Sequence, residues 1–148
     1  MTRERRFEWG GLGADRGDFI TAAEALDILR PLVVAPYGVD VETGLRDGEA
    51  FVRVSRGGRR AVVSTPGIRW FSLEVDSGHR VRIDDATSTR AEAAALLGSF
   101  VEAAVAYVTG DMHPERARWG STVTVPTGER RIVLRSTWRS RTGGGGRA

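Results

Sequence analysis

The spacing of apolar and polar positions changes period twice along this chain. Between Thr21 and Arg30 it is helical. Ala22, Ala25, Leu26 and Leu29 form one stripe, and Thr21 with Glu24 makes an S/T-x-x-E capping box in front of it. Pro31 predicts the stop. From Pro36 to Asp85 the period is two. The run YGVDVETG predicts a first strand. EAFVRVS and RRAVVST flank Gly57-Gly58, a two-residue connection that specifies a tight hairpin. Thr65-Pro66-Gly67 turns the chain into IRWFSLEVD, and Asp76-Ser77-Gly78 turns it into HRVRID. The helical period then returns in TRAEAAALLGSFVEAAVAYVTG, from Thr89 to Gly110. Thr89 and Glu92 form a second capping box, and Gly110 supplies a left-handed stop. Its polar stripe is narrow, with Glu92, Ser99, Glu102 and Thr109 joined by Ala95 and Ala106. The rest of its circumference is apolar, which predicts a helix buried on most sides. Glu92, Ser99 and Glu102 argue against its being a membrane span. Gly98, in mid-helix, implies a close approach by a strand or another helix. DMHPERARWG reads as a loop, and STVTV with RRIVLRS as a last hairpin around Pro126-Thr127-Gly128-Glu129.

Together these elements predict an α+β fold. An antiparallel meander sheet is packed by one long helix, with a short N-terminal helix and a C-terminal β-hairpin that joins the same sheet after the helix crosses it. Residues 21–138 form the single domain. Residues 1–20 are expected to be a flexible Gly- and Arg-rich arm pinned by Trp9 and Phe19, and residues 139–148 a disordered tail with nothing to bury.

Alternation also sorts the sheet faces. Ala50, Val52, Val54, Phe71, Leu73, Val75, Val81 and Ile83 make an aliphatic face suited to the long helix. Phe51, Arg53, Trp70, Arg80 and Arg82 fall on the other face. Aromatic side chains among arginines are enriched at the centres of protein interfaces, so these five residues are the candidate partner-binding surface. The same set could stack nucleobases on a sheet, and RNA or single-stranded DNA is the alternative ligand. A third reading covers this face with the arm or the first helix and makes Trp70 core. If so, the binding surface would be sought from Asp111 to Gly120, where Met112, His113 and Trp119 lie among Arg116 and Arg118.

Composition narrows the chemistry. There is no Cys among the 148 residues, which excludes disulfides, thiol catalysis and cysteine-held metals. The net charge is +3, and every one of the 22 basic residues is Arg. Since Arg keeps its proton, that usage alone raises the isoelectric point. The charges are segregated. Residues 11–45 carry two Arg against six acids and residues 46–70 six Arg against two. Residues 71–111 carry three Arg against seven acids and residues 112–148 eight Arg against two. Segments of opposite sign are expected to pair within the fold rather than to mark a nucleic-acid footprint.

Catalytic patterns are sparse. Gly11, Gly13 and Gly17 have the wrong spacing for a dinucleotide fingerprint and follow no strand. There is no G-x-S-x-G and no phosphate-binding G-x-x-x-x-G-K. His79 and His113 are expected as exposed loop residues. Asp84-Asp85 reads as a helix lead-in favoured by the helix dipole rather than as a cation site. The expectation is a non-catalytic domain without metal or cofactor. No signal-peptide pattern opens the sequence, so a cytoplasmic protein with no membrane contact is expected.

The stretch RWFSLEVDSGHRVRIDD followed by TRAEAAALLGSFVEAAVAYVTG, in a helix–meander–helix–hairpin order, resembles two groups. One is the fold of type III secretion chaperones. The other is the small α+β immunity proteins of actinobacterial polymorphic toxin systems. The resemblance covers about a third of the chain and assigns no functional residue. It implies a protein-binding accessory role, immunity-like or chaperone-like, on a warrant of layout alone. The short C-terminal helix usual in the chaperone fold is missing, and this chain is basic where many immunity proteins are acidic.

Overall fold

Both helices start where their caps say. The Thr21 hydroxyl accepts the Glu24 amide at 3.1 Å, and the Glu24 carboxylate accepts the Thr21 amide at 2.8 Å. Thr89 and Glu92 repeat the exchange at 3.2 and 3.0 Å. The computed structural model describes residues 20–33, 36–85, 89–117, 120–128 and 131–137. In chain order these form α1 (Ala22–Leu32), β1 (Asp40–Arg46), β2 (Glu49–Arg56), β3 (Arg59–Thr65), β4 (Arg69–Val75) and β5 (Arg80–Asp85). They continue with α2 (Arg90–Val108), β6 (His113–Ala117), β7 (Gly120–Pro126) and β8 (Arg131–Thr137). The expected arm, apart from Ile20, and the expected tail lie outside the described residues. Ile20 itself is buried and belongs to the core.

The eight strands make one antiparallel sheet in the order β1-β2-β3-β4-β5-β8-β7-β6. The meander from β1 to β5 is laid down in sequence order. The chain then crosses in α2 and returns to build β6 to β8 on the free side of β5. The fold is α+β, as the periodicity predicts.

The aliphatic face is the core face. Ala50, Val52, Val54, Ala61, Val63, Phe71 and Leu73 are wholly buried, as are Val125 and Leu134 of the second meander. Helix α2 lays Leu97, Phe100, Val101, Ala104 and Val108 on this layer, and its predicted polar stripe faces out. The helix is long and apolar enough, by length and composition, to cross a membrane; in this fold it is packed against the sheet and α1. The close approach expected at Gly98 is not found: a Cβ there would meet Leu32 of α1 at an ordinary 4.0 Å.

Two further local expectations differ from the structure. Pro31 lies inside the last turn of α1 rather than beyond it. There its missing N–H removes one bond at a frayed end and is tolerated. Residues 113–117, expected as loop, are β6, an edge strand that pairs with β7 from His113–Thr124 to Ala117–Gly120. It carries no apolar alternation because His113, Pro114, Glu115 and Arg116 are all exposed, and Pro is accepted at an edge.

Candidate docking face

The five candidate residues share one face of the sheet, opposite the helices. Register carries a row of side chains across it: Glu42, Arg53, Val62, Glu74, Arg80, Arg135, Thr122 and Glu115 are successive cross-strand partners from β1 to β6. The next row runs Gly44, Phe51, Ser64, Ser72, Arg82. Among the described residues the packing elements, α1 and α2, lie on the core side, and this face is open.

Two clusters stand on it. At one, the Arg46 guanidinium lies 5.1 Å from the centroid of the Phe51 ring. Phe51 covers Gly44, whose absent Cβ leaves the ring its place at 3.3 Å. At the other, the Arg82 guanidinium lies 4.7 Å from the Trp70 ring centroid and donates from Nε to Asp84 at 3.1 Å. Ser64 and Ser72, small and half-buried, continue the register row from Phe51. Phe51 and Trp70 are half-buried; Arg80 and Arg82 are exposed. Trp70 is therefore an outward residue rather than part of the helix-side core.

The backbone beneath Trp70 is held from the buried side. Thr65 is a fully buried polar residue, and both capacities of its hydroxyl are used. It donates to the Trp70 carbonyl at 2.6 Å and accepts the Gly67 amide at 3.0 Å. Gly67 has φ +105°, and its turn lies against the start of α1, where a Cβ would come within 2.6 Å of the Ile20 carbonyl oxygen. The entry to β4 is thus fixed by helix α1 and the β3–β4 turn together.

The arginines of this face are largely answered in place. Arg53 pairs with Glu42, Arg82 with Asp84, and Glu74 stands directly opposite Arg80. Of these, Glu42–Arg53 joins the acid-rich segment 11–45 to the Arg-rich segment 46–70, and the other two lie within residues 71–111. The exception is the junction of β5 and β8, where Arg80 faces Arg135. Like charges directly opposite are unfavourable in a sheet. Glu74 is Arg80's cross-strand neighbour on the other side but makes no ion pair with it, which leaves an excess of positive charge at this junction.

Sequence reasoning missed several contributors. Arg46, Glu42 and Asp84 complete the two clusters, but their adjacency depends on register across strands. Arg135 arrives from the far side of α2. Next to the row, Arg53, Arg56, Arg59 and Arg60 line an open concavity of about 680 Å³ shared with Asp40, Glu42 and Asp76. The signal for it, R-G-G-R-R at the β2–β3 turn, was legible. His79, expected as exposed, is half-buried. Its Nδ1 bonds the Ser77 hydroxyl at 2.7 Å and its Nε2 the Ser121 hydroxyl at 2.6 Å, tying the β4–β5 turn to β7. Nearby, burial pushes the Tyr107 phenol above its ordinary pKa, with Ser77 and Asp76 at its hydroxyl. Met112 is half-buried, His113 and Arg116 are exposed, and Arg118 and Trp119 lie outside the described residues. Among the described residues no group of three or more His, Asp or Glu is placed to hold a metal. The chain matches no protein-family model, no curated protein and no solved structure.

Proposed function

We propose that this domain is a non-catalytic protein-binding accessory, immunity-like or chaperone-like in role, and that it binds its partner on the open sheet face. The observation that carries the reading is the pairing of Trp70 with Arg82 on a face the helices leave open. Trp and Arg are the residues most enriched where interfaces concentrate their energy. The mixture of charge on the same face favours protein over nucleic acid. Glu42, Glu74 and Asp84 stand among the arginines and would repel a phosphate backbone, whereas a polypeptide can answer both signs. The partner segment that fits presents an apolar side chain over Ser64 and Ser72, beside Phe51, and a carboxylate to Arg80 and Arg135.

The test is capture of partners from nuclease-treated lysate of the source cell, comparing the wild type with Trp70→Ala/Arg82→Ala. Circular dichroism checks that the double variant is folded. A protein retained by the wild type and lost by the folded variant supports the reading, provided that purified partner binds with only modest salt dependence. Binding to single-stranded oligonucleotides whose log affinity falls linearly with log salt, at about −0.7 per phosphate contact, would replace it with the nucleic-acid alternative. Unchanged capture by the variant would move the surface elsewhere.

A further inference from the structure

Strand β1, at the edge of the sheet, carries a pattern that no other described residue uses. Residues Val41, Thr43 and Leu45 lie on the helix side, opposite the buried Val54, Val52 and Ala50 of β2. Yet Val41 is 39% and Leu45 53% exposed, so the apolar layer continues past the cover of α1 and ends in the open. On the other face are Asp40, Glu42, Gly44 and Arg46. Among the described residues Asp40 has no ion-pair partner.

The backbone has the same open character. Asp47 and Gly48 have φ of 54° and 80°, the two-residue turn of a tight hairpin between Arg46 and Glu49. Such a turn closes on a hydrogen-bonded pair. Alternation then directs the amides and carbonyls of Arg46, Gly44, Glu42 and Asp40 toward β2, and those of Val41, Thr43 and Leu45 away from it. Three residues of outward N–H and C=O groups remain, which is the usual template for another strand.

We propose that the domain forms a homodimer through β1, two copies pairing antiparallel about a two-fold axis at Thr43. This centre satisfies three requirements at once. Asp40 faces Arg46 of the second copy, twice. Val41 faces Leu45 of the second copy, twice, which covers the exposed apolar ends. Thr43 faces itself, and because Thr43, Val41 and Leu45 are the residues whose backbone groups point outward, the pairs requiring hydrogen bonds are those able to make them. The Asp40–Arg46 positions are then non-hydrogen-bonded pairs, in which side chains stand closest. A centre at Glu42 would set two glutamates against each other, and a centre at Gly44 would put Val41 opposite Asp47 of the turn instead of Leu45. The occupant that fits this edge is a second copy of the chain, since a two-fold interface requires a self-complementary patch. The result is a continuous sheet of twice the eight described strands. The inference does not rest on the partner proposed for the open face, although Arg46 belongs to both surfaces.

Sedimentation equilibrium over a concentration series tests it. The wild type is expected at twice 16.1 kDa. Asp40→Arg and Arg46→Asp each turn both ion pairs into like-charge contacts and are expected to sediment as single chains. Mixed in equal amounts, they are expected to restore the dimer, because each acid then faces an Arg on the other variant. The chain has no Cys, so Thr43→Cys gives a separate readout. Directly opposed Cβ atoms in a sheet stand about 4.5–5.5 Å apart, and a short bis-maleimide, adding one thiol across each of its two double bonds, should join two copies of the variant into a covalent dimer. A wild type that stays at one chain mass, swaps that remain dimeric, a mixture that stays monomeric, or a Thr43→Cys chain that does not cross-link would each overturn the proposal. The cysteine variant keeps the test open to refutation even if a charge swap fails to fold.

Discussion

The Arg82 guanidinium rests over the Trp70 ring, 4.7 Å from its centroid, while its Nε holds Asp84 at 3.1 Å. One arginine thus spans two cross-strand neighbours, since Trp70 and Asp84 are register partners. The contact is on an open face, so its effect on the fold is modest. Arg82→Ala is expected to lower stability by about 0.5–1 kcal/mol, the range for a partly solvated cation–π pair. Trp70→Ala is expected to keep a single cooperative urea transition. Loss of that transition would place Trp70 in the core.

The long helix should respond to truncation on one side only. Leu97 is wholly buried, and Leu97→Ala is expected to cost about 2–4 kcal/mol, with Val101→Ala somewhat less. Glu102 is exposed and accepts the Gly128 amide at 3.2 Å. Glu102→Ala removes that single surface bond and should cost about 0.5 kcal/mol. Urea melts of the three variants check the assignment, and equal effects at Leu97 and Glu102 would reverse the helix face.

Two glycines should move stability in opposite directions. At Gly98 an added methyl meets Leu32 at an ordinary 4.0 Å, so Gly98→Ala is expected to stabilise by about 0.5–1 kcal/mol through helix propensity. At Gly67 the φ of +105° and the 2.6 Å approach to the Ile20 carbonyl leave no room for a Cβ. Gly67→Ala is expected to cost more than about 1 kcal/mol, because the residue cannot adopt this conformation without strain. Thermal melts of both variants distinguish the two effects.

Burial raises the Tyr107 phenol in the folded state, with Asp76 adding to the rise and the Ser77 hydroxyl and Arg59 opposing it. The neutral form is therefore the one the fold favours. Its contribution is fully present below the unfolded pKa of about 10 and is lost as pH climbs from there through the raised folded value. Stability measured by urea between neutral pH and strong alkali should fall above that point. Tyr107→Phe should flatten the fall relative to the wild type, and parallel curves would assign it to other groups.

Much of this architecture could be read from local signals. Capping boxes at Thr21 and Thr89, the Gly57-Gly58 turn and strict alternation in β2, β4 and β5 each specify structure within a few residues. The same alternation put Phe51, Arg53, Trp70, Arg80 and Arg82 on one face. Strand β6 was not legible, because it is held by backbone pairing to β7 and its exposed side chains carry no apolar period. Which partners complete the face was not legible either. Whether Arg82 meets Asp84, or Arg80 meets Arg135, depends on register between strands, and periodicity within one strand is silent on that. His79 shows the same limit, since its partner Ser121 lies beyond α2.

The junction between β5 and β8 has a mechanical consequence. Six registered pairs join β4 to β5 and seven join β7 to β8, but among the described residues one pair joins β5 to β8, and it sets Arg80 against Arg135. Every other neighbouring pair in the sheet follows directly along the chain; this one is closed only after α2 has crossed. The sheet is two leaves bound along a weak spine, with α2 lying across both as the cover. Under load, or in a momentary thermal opening, the tear is expected to start between Arg80 and Arg135, with strands β6 to β8 swinging away as one leaf while the five-stranded meander stays whole.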